Sequence, residues 1–130
     1  GTKKPNNDET IKNRENFLVM NGKEVFKFAI NVVEKSINKI LDMNNLKIED
    51  INLIIPHQAN QRIISNVAKK FNISNDKFFV NLEKYGNTSA ASIPMALCEA
   101  FESKKITKGD KVILVGFGGG LTWGSTIIEI

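Results

Sequence analysis

The sequence predicts an α/β fold, with short strands and helices alternating in the order βαβαβαββ. Three observations carry that prediction. Helical apolar stripes lie between short apolar runs, which implies crossover connections and a mostly parallel sheet. The last two runs, 111–116 and 122–130, are separated only by a glycine-rich bend and should form a hairpin with one antiparallel edge. The composition, 42% hydrophobic and 25% charged over 130 residues, suits one domain and excludes a wholly disordered, collagen-like or disulfide-rich chain.

Each element has a local reason. Residues 1–16 (GTKKPNNDETIKNREN) are nearly free of apolar side chains and of any period, which reads as a flexible linker or an engineered end, with the folded domain over 17–130. Phe17 to Met20, closed by Asn21-Gly22, predicts a first strand and its turn. From Lys23 to Leu41, Val25, Phe26, Ala29, Ile30, Val33, Ile37, Ile40 and Leu41 recur at helical spacing. Ile51 to Ile55 (INLII) is a buried-strand pattern that runs into Pro56-His57, and Gln58 to Phe71 returns to helical spacing.

A short strand is expected at Phe78–Val80, followed by a polar loop at 81–88 and a small-residue helix at 89–103. Pro94 is compatible with that helix only in its first turn. Lys111 to Gly116 (KVILVG) is the most apolar strand, Gly118 to Gly120 a bend, and Thr122 to Ile130 the last strand. In mostly parallel sheets ligands gather at the carboxyl ends of strands. His57, the Asn87 loop and the glycine bend all fall there in this reading.

Charge and cysteine content narrow the function classes. The single cysteine, Cys98, permits no internal disulfide, and no apolar run approaches the roughly 20 residues of a membrane-spanning helix. A soluble protein of the reducing cytoplasm is expected, with no membrane partner. Eighteen basic against fourteen acidic residues give a net charge of +4, and no basic surface interleaved with aromatics accompanies it, so nucleic acid is not expected either. No metal-ligand spacing occurs, which argues against a metal centre.

The chemistry-bearing residues are few. His57, the sole histidine, stands where a strand hands over to a helix, and its ring is compatible both with packing and with proton donation into a cleft. Asn87, in Tyr85-Gly86-Asn87-Thr88-Ser89-Ala90-Ala91-Ser92, serves either as a turn residue before a helix cap or as an amide N–H donor to a substrate oxygen. Gly116-Phe117-Gly118-Gly119-Gly120 lacks the following helix that a phosphate loop needs, which leaves a hairpin bend or a bare backbone facing a ligand. Cys98 lies mid-helix, without any device to lower its pKa, and is expected to pack in the core. Arg62, Lys69 and Lys70 share one face of their helix, either as a solvated face or as a dock for an acidic partner.

Taken together, Ile55-Pro56-His57-Gln58-Ala59-Asn60-Gln61-Arg62-Ile63-Ile64, the segment Tyr85 to Ser92, and Gly116-Phe117-Gly118-Gly119-Gly120-Leu121-Thr122-Trp123-Gly124 resemble beta-ketoacyl-acyl carrier protein synthase III of the thiolase superfamily. Asn21-Gly22-Lys23-Glu24-Val25-Phe26-Lys27 extends the resemblance, which covers about Phe17 to Ile130. It implies the C-terminal half of such an enzyme, a thiolase-like half with a five-stranded mixed sheet and helices on both faces. The family's reaction is an acyltransferase step, a decarboxylative condensation of acyl-CoA, expected here to be acetyl-CoA, with malonyl-acyl carrier protein. It initiates fatty acid biosynthesis without a cofactor, since acyl-CoA and the carrier's phosphopantetheine are substrates.

By this resemblance, His57 and Asn87 are the catalytic histidine and asparagine, whose N–H groups hold the malonyl thioester oxygen. Gly119 would supply an oxyanion-hole backbone N–H, with a side chain there expected to obstruct close approach. Phe26 and Ala59 match substrate-channel positions, Asn60 a position near the pantetheine arm, and Arg62, Lys69 and Lys70 the helix expected to receive the acyl carrier protein. The nucleophilic cysteine belongs to the other, N-terminal half, so this chain alone is expected to be inactive. Partners would be that half, the carrier protein and a second copy of the whole enzyme. Two other readings share these residues: a starter-type condensing enzyme of secondary metabolism, and a non-catalytic docking module for carrier protein.

Overall fold

The computed structural model describes residues 4–17 and 19–130. Its helices are α1 (Asp8–Lys12), α2 (Gly22–Met43), α3 (Gln61–Phe71), α4 (Leu82–Tyr85) and α5 (Ser92–Glu102), and its strands are β1 (Leu53–Pro56), β2 (Lys111–Gly118) and β3 (Thr122–Glu129). Within the segment expected to be a linker, Asn7 caps α1 by accepting a 2.9 Å hydrogen bond from Thr10 N–H. The long helix α2 follows its apolar stripe and is capped by Asn21, whose side chain accepts from Glu24 N–H. Asn60 caps α3 in the same way, and Asn72, in the left-handed conformation at φ 52°, closes it.

The sheet runs β1-β2-β3, with β1 parallel to β2 and β2 antiparallel to β3 across the expected hairpin. Side-chain alternation divides the core into two layers. Ile54, Ile113 and Val115 pack with Val33, Ile37 and Leu41 of α2 and with Ile64 and Val67 of α3. Leu53, Ile55 and Val112 face the other way, onto Ala96 and Ala100 of α5 and onto Ile106. Helices therefore cover both faces. The alanines of α5 allow it close to the sheet.

Among the described residues the sheet has three strands, not the five expected. Phe78 makes a single parallel bridge to Ile54, secured by Phe79 N–H donating to the Ile54 carbonyl at 2.9 Å. The ladder stops there because Asn81 N–H turns to a side chain, the Gln58 carboxamide oxygen, at 3.2 Å. At the other expected strand, Phe17, Val19 and Met20 lie in no strand and are 57, 87 and 68% exposed. Leu18 of that segment lies outside the described residues.

Cys98 also departs from expectation: it is exposed. The buried stripe of α5 is Ser92, Ala96 and Ala100, and a residue two positions from Ala96 points to the opposite side of the helix.

Candidate active site

The three segments singled out in the sequence meet at the carboxyl end of the sheet. β1 ends at Pro56, and the His57 N–H donates to the Val115 carbonyl of β2 at 2.8 Å, extending the parallel ladder by one residue before the chain turns into α3. The imidazole packs edge-on against Phe117 of the glycine bend, with ring centroids 5.2 Å apart. On its far side, His57 Nδ1 lies 2.7 Å from the buried Ser92 hydroxyl at the start of α5. Half-burial without any facing counter-charge pushes the imidazole pKa below its ordinary 6.5.

Gln58, only 1% exposed, ties this corner to the Asn87 loop. Its amide nitrogen donates to the carbonyls of Pro56 (2.8 Å) and Phe79 (3.1 Å), and its oxygen accepts from Asn81 N–H. Both amide hydrogens and the oxygen are thus engaged. The same loop is held from the other side by Glu99 of α5, whose carboxylate accepts from Asn81 Nδ2 (2.7 Å), Lys84 Nζ (2.6 Å) and the Tyr85 hydroxyl (2.9 Å). The Lys84 bond is the chief cause of a carboxyl pKa lowered to about 2, with the Asn81 and Tyr85 bonds adding to it.

Asn87 follows this clamped turn. Its Oδ1 accepts a 3.0 Å bond from Ser89 N–H, and because a backbone N–H can only donate, the carboxamide orientation is fixed. The amide nitrogen is left with its hydrogens uncommitted among the described residues.

His57, Asn87 and Gly119 line one open cavity of about 1160 Å³, together with Phe26, Ala59 and Asn60. Apolar side chains such as Val25, Phe28, Ile93 and Trp123 complete much of its wall, and among the described residues His57 is the only titratable one lining it. Phe28 and Trp123 meet edge to face with centroids 5.9 Å apart, joining α2 to β3 across that wall. The site therefore offers neutral N–H donors inside apolar surroundings. No group of three or more metal-ligating side chains occurs among the described residues.

Two positions gain detail. A Cβ on Gly119 would meet nothing within 4 Å in this chain, whereas one on Gly120, at φ +138°, would come within 2.7 Å of Thr122 Cγ2. The local need for glycine thus sits at Gly120. Asn60 both lines the cavity and caps α3, its Oδ1 accepting from Arg62 N–H at 2.8 Å. Arg62, Lys69 and Lys70 do not line the cavity and lie exposed on α3. Lys70 is engaged by Glu34 of α2 in an ion pair, while the charged ends of Arg62 and Lys69 have no protein partner among the described residues. Sequence reasoning missed Ser92, Gln58 and Glu99, whose roles depend on contacts with residues distant in the chain.

Residues 41–130 match the protein family described as 3-oxoacyl-[acyl-carrier-protein (ACP)] synthase III C terminal. The chain belongs to that family. It is 54% identical over 129 residues to a beta-ketoacyl-[acyl-carrier-protein] synthase III of Fusobacterium nucleatum, covering 99% of this chain and 39% of the relative. Identity to the enzyme of that name from Clostridium perfringens is 58% over 116 residues, covering 89% of this chain and 36% of the relative. Among solved structures, the synthase III of Thermus thermophilus superposes with a TM-score of 0.86 at 45% identity, over 88% of this chain and 36% of that one. The chain thus spans well under half the length of these relatives and carries the fold of their C-terminal part.

Proposed function

We propose that this chain forms the condensation half of a beta-ketoacyl-acyl carrier protein synthase III. The supporting observation is the pairing of His57 and Asn87 as neutral N–H donors on one largely apolar cavity, uncharged among the described residues. In the reaction, the malonyl thioester loses its carboxylate as carbon dioxide, and the electron pair of the broken carbon–carbon bond becomes an enolate. The enolate carbon attacks an acyl thioester, forming the new carbon–carbon bond and expelling the thiolate. Donors aimed at the thioester oxygen stabilise the enolate far more than the ground state, because the charge appears only as carbon dioxide leaves.

The environment favours the same step. Among the described residues no cationic side chain lines the cavity to hold the malonyl carboxylate, so its loss as neutral carbon dioxide relieves a desolvated charge. The lowered pKa of His57 keeps the ring neutral near pH 7, where it serves as a donor without being an acid strong enough to protonate the enolate. Gly119 supplies a backbone N–H to the oxyanion of acyl transfer, and Phe26, Ala59 and Asn60 border the acyl and pantetheine path. Arg62 and Lys69 receive the acidic carrier protein, with Lys70 contributing less because Glu34 already compensates it. The nucleophilic cysteine comes from the N-terminal half, and the whole enzyme acts as a cytoplasmic homodimer.

The test is ketoacyl product from acetyl-CoA and malonyl-carrier protein. Product should form when the chain is joined to a synthase III N-terminal half, and not with the chain alone. His57→Ala should abolish it. Turnover by the chain alone, or by the joined His57→Ala variant, would refute the assignment.

A further inference from the structure

Ser92 is one of four buried polar residues among those described, at 2% exposed, and it does not line the cavity. Two groups approach its hydroxyl oxygen: Gln58 N–H at 3.3 Å and His57 Nδ1 at 2.7 Å. The first can only donate. A serine hydroxyl has one hydrogen of its own, and among the described residues the one acceptor within reach of that hydrogen is Nδ1.

We infer that Ser92 is a positioning residue that fixes the tautomer of His57: its hydroxyl donates to Nδ1, which keeps the ring hydrogen on Nε2, facing the cavity. The opposite tautomer would make the Ser92 oxygen accept two hydrogen bonds and strand its hydroxyl hydrogen in a buried site without an acceptor. The imidazolium would do the same. Phe117 packs edge-on against the ring and resists its rotation, while the Gln58 N–H bond orients the serine lone pair, so both partners are held before any substrate arrives. The single hydroxyl thereby turns a residue able to accept or donate at either nitrogen into a committed donor.

The use of that donor rests on the proposed condensation reading, but the tautomer itself does not. His57 is the only histidine in the chain, so long-range proton–nitrogen NMR of the imidazole-labelled chain reads its state without interference. The expected spectrum at neutral pH shows a pyridine-like Nδ1 and a protonated, pyrrole-like Nε2. Ser92→Ala should bring Nδ1–H into substantial population, and Ser92→Thr, which retains the hydroxyl, should restore the original pattern. A wild-type ring protonated on Nδ1 would overturn the inference without any variant. A folded Ser92→Ala chain with an unchanged tautomer would overturn it as well. If the expected tautomer is found but the joined enzyme makes no ketoacyl product, the functional reading fails and the Ser92 assignment stands.

Discussion

His57 sits where its surroundings oppose charge, and this gives the residue a measurable signature. Its folded pKa lies below the ordinary 6.5, so over the interval between the two values the unfolded chain binds more protons than the folded one. Stability contributed by the neutral ring is therefore full above 6.5 and is lost as pH falls from there toward the folded pKa. Proton NMR of the single imidazole should titrate below 6.5, and a midpoint at or above that value would contradict the desolvated site. At Asn87, replacement by Asp retains the bond accepted from Ser89 N–H but replaces two N–H hydrogens with a carboxylate oxygen in a largely apolar cavity. Condensation by the joined enzyme should fall by about 10²- to 10³-fold, the usual range for losing one oxyanion donor. A rate within a few-fold of wild type would remove Asn87 from the mechanism.

At the scale of elements, the turn carrying Asn87 is held in place by side chains more than by a ladder. Glu99 gathers Asn81, Lys84 and Tyr85 onto α5, and its carboxyl pKa is lowered to about 2 from an ordinary 4.5. Stability from this clamp is present above 4.5 and is lost as pH falls toward 2. Glu99→Gln should lower the midpoint of thermal unfolding at pH 7 and flatten its dependence on pH over that acid interval. An unaltered acid limb would show that the clamp contributes nothing. The cap of α3 makes a simpler case: Asn60→Ala should cost about 1 kcal/mol of unfolding free energy in denaturant titration. A value near zero would mean that water replaces the bond accepted from Arg62 N–H.

The elements most legible in the sequence are those whose own period determines them. The stripe from Val25 to Leu41 gives α2, and the apolar run at 111–116 with the alternation after Thr122 gives the β2–β3 hairpin. Less legible were segments whose state depends on partners elsewhere. Phe78–Val80 has a strand's composition, yet its ladder ends after one bridge because Gln58 captures the next N–H. Cys98 is apolar enough for a core but falls off the four-residue stripe of α5. The convergence of His57, Asn87 and the glycine bend on one cavity was readable because each marks the carboxyl end of a strand or a tight turn, while the catalytic roles expected of them came from the family resemblance alone. Ser92 was not, since a small residue opening a helix carries no local sign of a histidine 35 positions away.

For the whole molecule, the folded chain brings three distant segments to one rim and leaves a separate cationic helix face outside it. With Arg62 and Lys69 exposed and unpaired among the described residues, binding of an acidic carrier protein should weaken as ionic strength rises. The Arg62→Ala, Lys69→Ala double variant should lose most of that salt dependence, and salt-independent binding would place the dock elsewhere. The central claim is that His57 and Asn87 serve the loss of carbon dioxide, while acylation belongs to the cysteine half. The most direct measurement is carbon dioxide release from carboxyl-labelled malonyl-carrier protein by the joined enzyme, followed beside acylation of its cysteine. The account predicts that His57→Ala and Asn87→Ala each slow release by about 10²-fold or more while acylation proceeds. Release at the wild-type rate in both variants, with acylation lost instead, would contradict it.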